Sequence, residues 1–194
     1  MKSQASPTPL QVLQDRKNAV IRRGNWRRLI IGAACSALLV LAVFSELFGI
    51  AVVRGNSMEP SFRDKDLVLY TRIGSCRAGD IVIFLPPEEM KRDKSNEHIK
   101  RVIAMPGDSV VIDMLGNVSV NGQFLKEPYA AGFTGPRDEV AYPLQLKEKE
   151  HFVLGDSREN SRDSRHEGPI PANRISGRVI MTVRTRNGTA AEGP

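Results

Sequence analysis

The chain has 194 residues, 41% hydrophobic and 26% charged, with a formal net charge of +6, two cysteines and three histidines. That length suits one folded domain with a core plus some extra elements, and two cysteines exclude a disulfide-built scaffold. The positive charge does not point to nucleic acid: residues 1–28 hold seven basic residues against Asp15, a net +6, and the rest holds 21 of each sign.

The first element is a basic segment, residues 1–28, with Arg22, Arg23, Arg27 and Arg28 close before the apolar run. From Leu29 to Ser45 there are 17 residues without a charge, and after Glu46 the run resumes to Val53. A hydrocarbon core of about 30 Å needs about 20 helical residues, so residues 29–50 are predicted to be one transmembrane helix. Trp26 stands at its edge as an interfacial anchor. The positive-inside rule puts the N-terminus in the cytoplasm and everything after residue 50 on the outer face. The long basic segment and the lack of an A-x-A-like site at the end of the run argue against a cleaved leader.

Residues 51–185 read as a mainly β domain. Short apolar or alternating runs span 50–53, 67–70, 81–85, 98–105, 109–114, 117–120, 151–154 and 175–183, separated by Gly, Pro, Asp and Asn. Asn121-Gly122 predicts a tight hairpin turn inside a meander. Many short strands favour a folded antiparallel sheet or barrel-like architecture over a βαβ fold. Residues 86–97 read as a charged exposed loop, 127–150 as a long excursion with little periodicity, and 186–194 as a disordered tail.

Three segments carry residue types that could do chemistry. In Arg54-Gly55-Asn56-Ser57-Met58-Glu59-Pro60, Gly55 and Pro60 favour a turn that exposes the Ser57 hydroxyl and its backbone N–H. By itself this is more often a solvated turn serine. As a nucleophile it needs a base and an oxyanion donor. None of His98, His151 and His166 sits in a triad or metal signature, and each reads as a surface or strand histidine. Lys100 lies in an apolar strand, on one face with His98 and Val102. If that face is inward, burial drives the amine towards its neutral, basic form, at a cost of about 3 to 5 kcal/mol for a pKa near 7 or 8. If outward, Lys100 snorkels to solvent beside Arg101. Residues 154–171, rich in Ser, Asp and Arg, are either a charged surface loop or a buried set of mutually satisfied charges.

Read together these segments resemble the type I signal peptidases, membrane-bound Ser/Lys proteases that remove signal peptides. The blocks occur in order: an anchor, GNSMEPSF at 55–62, GDIVIF at 79–84, KRVIAMPGD at 100–108 and GDSRENSRDSR at 155–165. The resemblance implies Ser57 as nucleophile and Lys100 as general base. It implies Ser161 as the hydroxyl that orients the lysine, Asp163 and Arg165 as a supporting ion pair, and Asp156 and Arg158 as further polar positions. It places Ala51, Val53, Phe62 and Ile99 in pockets for small side chains. Two positions depart from the pattern: Gly55 stands where some members have an oxyanion-hole serine, and Ser157 where asparagine is usual.

The implied activity is endoproteolytic removal of signal peptides after small residues of Ala-X-Ala type, at the outer face of the cytoplasmic membrane. Its partners are preproteins and the phospholipid bilayer, with no nucleic acid, and no cofactor or metal is required. The alternatives are a Ser/Lys peptidase dedicated to one substrate such as a conjugative pilin, or a non-catalytic membrane-tethered β-domain. Distant likeness extends to self-cleaving repressor domains, which lack an anchor.

Overall fold

The structure is a computed structural model and describes residues 9–86 and 97–184. The expected exposed loop at 86–97, apart from its two end residues, and the expected tail at 186–194 lie outside the described residues. Two compact units divide the chain, Met1–Glu46 and Leu47–Pro194.

The first unit is helix α1, Pro9–Leu47, of 39 residues. It begins well before the predicted start at residue 29. Pro9 is tolerated in a first turn, and the Leu, Gln, Arg, Lys and Ala that follow are good helix formers. Its apolar stretch, Trp26–Leu47, has 22 residues and a mean hydropathy of 2.2, long and apolar enough to cross a membrane. The helix stops at Leu47, three residues short of the predicted boundary. Phe48–Val52 instead forms strand β1, because its backbone pairs with β2 (Leu67–Thr71) in the register Phe48 to Thr71 through Val52 to Leu67.

The second unit is built on a curled antiparallel sheet. The remaining strands are β3 (Ile81–Phe84), β4 (His98–Ala104), β5 (Ser109–Ile112), β6 (Val118–Val120), β7 (Gln123–Phe124), β8 (Leu144–Gln145), β9 (Glu150–Leu154), β10 (Ile170–Pro171) and β11 (Ile175–Val183). Seven of the strands form one sheet in the order β1-β2-β11-β3-β4-β9-β10, and the others form a four-stranded sheet, β7-β6-β5-β8. Every run singled out in the sequence contains a strand. The two-residue strands β7, β8 and β10 carry too few residues for periodicity to reveal. Asn121 (φ 52°) and Gly122 (φ 77°) make the expected turn between β6 and β7, and Val120 pairs with Gln123 across it.

Three apolar clusters fill the interior. Ile103, Val110, Ile112, Val118, Leu146, Phe152 and Leu154 join the small sheet to β4 and β9. Val82, Phe84, Val102, Val153 and Ile170 form a second, and Val53, Met58, Val68, Tyr70, Ile83 and Ile99 a third. Along β1, β2 and β11 the inward row Gly49, Tyr70 and Val179 is possible because Gly49 has no Cβ, which would collide with the Tyr70 ring. The opposite face shows two apolar rows, Ile50-Leu69-Met181 and Val52-Leu67-Val183. Of these six side chains only Leu69 is half-buried; the rest are exposed, Ile50 at 72%.

Candidate active site

Ser57 sits in the turn between β1 and β2. The turn is closed at its base by Val53 N–H bonding Asp66 O and Lys65 N–H bonding Val53 O, each 2.8 Å. Gly55 takes φ +75°, and its N–H donates to Asp64 Oδ1 at 2.8 Å. A left-handed residue is needed there, and glycine takes it without a Cβ penalty. Met58, with no exposed surface, pegs the turn into the apolar cluster beneath, and Phe62 N–H bonds back to Met58 O. The side chain before that peg, Ser57, is left at the rim of a cleft.

Lys100 comes from the middle of β4 and is 4% exposed, so the inward option holds. Its Nζ lies 2.8 Å from Ser57 Oγ and 3.0 Å from Ile99 O. Burial lowers its pKa from 10.5 to about 8, while Asp163, Glu167 and Asp156 pull the other way. The amine is therefore substantially neutral at mildly alkaline pH, with its lone pair within proton-transfer distance of a hydroxyl. His98, two residues earlier, lines the same cleft and packs edge-on against Phe84. Burial and the Lys100 charge hold it down at about 4, so it stays neutral at physiological pH.

The segment after β9 is largely buried: Asp156, Arg158, Asp163 and Arg165 lie in the interior, while Glu159 and Arg162 are exposed. Asp163 caps the short helix α2 (Ser164–Glu167), accepts from Gly155 N–H at 3.1 Å and binds Arg165 at 2.8 Å with both side chains fully buried. Burial would raise the Asp163 pKa, but the Arg165 guanidinium and the Gly155 N–H outweigh it and hold the carboxyl below its usual range. Asp156 and Arg158 do not pair with each other. Asp156 binds Arg101 at 2.6 and 2.8 Å, and Arg158 binds Glu127 at 2.6 and 3.0 Å, Thr134 Oγ1 at 2.6 Å and Gly155 O at 3.0 Å. A buried guanidinium without such partners would cost several kcal/mol.

This segment also touches Ser57: Ser157 N–H donates to Ser57 O at 3.1 Å, fixing the peptide after the serine. Gly155 makes that approach possible, since a Cβ there would lie 2.5 Å from Ser57 O and would overlap Ser161 Oγ. Ser161, expected to hold the lysine, is 4% exposed, and its Oγ makes no hydrogen bond with Lys100 or any other group among the described residues. It adds to the lowering of the Asp163 pKa without meeting hydrogen-bond geometry. The second acceptor at Lys100 is instead the Ile99 carbonyl.

The cleft has a volume of about 470 Å³. Ala51, Val53 and Ile99 line it, together with Val68 and Ile83, while Arg54, Glu97 and Arg162 add charge. Phe62 does not line it. Its ring packs against the apolar cluster under the turn, because the Met58 to Phe62 hydrogen bond turns that residue back into the domain. Sequence reasoning missed Gly155, Asp64, Arg101 and Glu127. Their importance comes from partners 9 to 98 residues away in the chain, so no local pattern marks them.

The family model described as "Signal peptidase, peptidase S26" matches residues 24–184. Signal peptidase I of Bacillus licheniformis is 32% identical over 176 residues, covering 84% of this chain and 88% of the relative. A probable signal peptidase I-2 of Synechocystis sp. is 30% identical over 161 residues, covering 80% and 72%. Among solved structures, the crystal structure of a signal peptidase I from Enterococcus faecalis aligns at 26% identity with a TM-score of 0.44, covering 56% of this chain and 99% of that one.

Proposed function

The chain belongs to the signal peptidase family, peptidase S26, and from that premise we propose that Ser57 and Lys100 are its catalytic dyad. As a signal peptidase I it is a membrane-associated serine endopeptidase whose substrates are preproteins bearing signal peptides. The observation that carries the dyad is the 2.8 Å separation of Lys100 Nζ and Ser57 Oγ, with the amine buried and its pKa near 8.

In this mechanism Ser57 Oγ attacks the scissile carbonyl carbon while Lys100 Nζ takes the hydroxyl proton. The Ser57 N–H donates to the oxyanion. As the C–N bond breaks, the Lys100 ammonium returns the proton to the leaving amine. A water then loses a proton to Lys100 and attacks the acyl ester, freeing Ser57 and the signal peptide. Ser161, buried beside the site, holds the amine once its hydroxyl turns towards Lys100. Asp163 with Arg165, Asp156 with Arg101, and Arg158 keep the segment behind it rigid. Ala51, Val53 and Ile99 form the apolar wall that takes small side chains of the Ala-X-Ala type, the substrate lying extended beside β1.

The N-terminus faces the cytoplasm and the β domain the outer side, on the strength of the seven basic residues before Leu29. Protection of residues 1–28 from external protease in spheroplasts tests that orientation; their digestion would reverse it. The dyad is tested by cleavage of a signal-peptide substrate with Ser57→Ala and Lys100→Ala. Both are expected to lose activity by at least about 10³-fold, and parental rates from either would remove that residue from the mechanism.

A further inference from the structure

Asp163, Glu167 and Asp156 favour the ammonium form of Lys100, and each has its own arginine. Asp163 is bound by Arg165, Glu167 by Arg162 at 3.2 Å, and Asp156 by Arg101 at 2.6 Å. The first two arginines come from the same short segment as their carboxylates. Arg101 comes from β4, directly after Lys100, and reaches Asp156 from a seat made by another part of the chain.

That seat is the segment Glu127-Pro128-Tyr129. The Arg101 guanidinium carbon lies 3.9 Å above the Tyr129 ring centroid, a close cation–π contact. The Tyr129 hydroxyl donates to Glu127 Oε1 at 3.1 Å, and Glu127 grips the fully buried Arg158 through both carboxylate oxygens. Ala131 then runs beside the site segment, its N–H bonding Asp156 O and its O accepting from Arg158 N–H, both at 2.8 Å. Two arginines facing the active site are thus held by two residues that lie outside the cleft and the dyad.

We propose that Glu127 and Tyr129 are positioning residues for the general base: they seat Arg158 and Arg101, and through Arg101 keep the Asp156 carboxylate neutralised beside Lys100. This rests on the reading of Lys100 as base. Without the Tyr129 ring, Arg101 leaves its bidentate geometry and the Asp156 charge acts on Lys100 unopposed, which raises the lysine pKa and delays the neutral form to higher pH. The other charged or titratable groups near the lysine, neutral His98 on its own strand, Arg54, Glu97 and Arg162 at the cleft, and Asp163 and Glu167 behind, keep their own neighbours.

The test is kcat/KM against pH for the full chain in detergent micelles, with a quenched fluorescent signal-peptide substrate. Tyr129→Leu is expected to move the pH of half-maximal kcat/KM upward by on the order of one unit. Tyr129→Phe keeps the ring and is expected to restore the parental midpoint, and Asp156→Asn to move it downward. A Tyr129→Leu enzyme with a lower Tm but an unmoved midpoint would overturn the proposal and leave Tyr129 a packing residue. Should Tyr129→Leu not fold, Asp156→Asn decides: an unmoved midpoint there sinks the idea equally. Full activity in Lys100→Ala instead refutes the dyad, so the two failures are distinguishable.

Discussion

At the scale of single residues, one lysine and one glycine set the chemistry. Lys100 is buried and its pKa falls to about 8, so the proposed base is mostly protonated at pH 7. Only the neutral amine accepts the serine proton. The value of kcat/KM is therefore expected to rise about tenfold per pH unit below 8 and to level off above it, with a single ionisation. A flat profile between pH 6 and 9 would contradict Lys100 as base. Gly155 is the second point. A methyl group there collides with Ser161 and with the Ser57 carbonyl, which accepts the Ser157 N–H. Gly155→Ala is expected to lower kcat on the order of 10²-fold while far-UV circular dichroism stays parental, since displacements of about 1 Å cost that much. Unchanged kcat would show that the segment gives way freely.

At the scale of elements, β1, β2 and β11 do two jobs with their two faces. The inner rows carry Ala51, Val68 and Tyr70 towards the third apolar cluster, where Ala51 and Val68 also line the cleft. The outer rows, Ile50-Leu69-Met181 and Val52-Leu67-Val183, are apolar and largely exposed. Such a patch on a strand that continues directly from an apolar helix suits a lipid surface. Ile50→Asp with Met181→Asp in the full chain is expected to slow processing of a bilayer-embedded preprotein several-fold and to leave cleavage of a short soluble peptide within twofold. Equal losses on both substrates would mean that the rows serve the fold and not the membrane.

At the scale of the whole molecule, the same lysine is a cost to stability. Its folded pKa lies below its unfolded value, so the unfolded chain binds more protons between about pH 8 and 10.5, and stability rises with pH across that window. The penalty is fully present below pH 8, and a fall from 10.5 to about 8 corresponds to roughly 3 kcal/mol. Lys100→Met, inactive, is expected to be more stable than the parent by up to that amount at pH 7 and to lose the advantage as pH approaches 10.5, read by denaturant unfolding. A pH-independent difference would attribute the gain to packing alone.

The amino-acid sequence by itself determined the apolar helix, the mainly β class, the longer strands from Leu67 to Val183 and the Asn121-Gly122 turn. These are local matters of hydropathy, alternation and turn chemistry, and each is decided within a few residues. It also singled out Ser57 and Lys100 by residue type and block order, yet left Lys100 open between snorkelling to solvent and burial. Only the tertiary structure decided that, because the direction of β4's inner face depends on β3 and β9 packing beside it. The same holds for the exclusion of Phe62 from the cleft, the room that Gly155 leaves for Ser57 and Ser161, and the pairing of Asp156 with Arg101 and Arg158 with Glu127. Each joins groups far apart in sequence, and a contact that exists only once the chain has closed on itself leaves no periodicity to read.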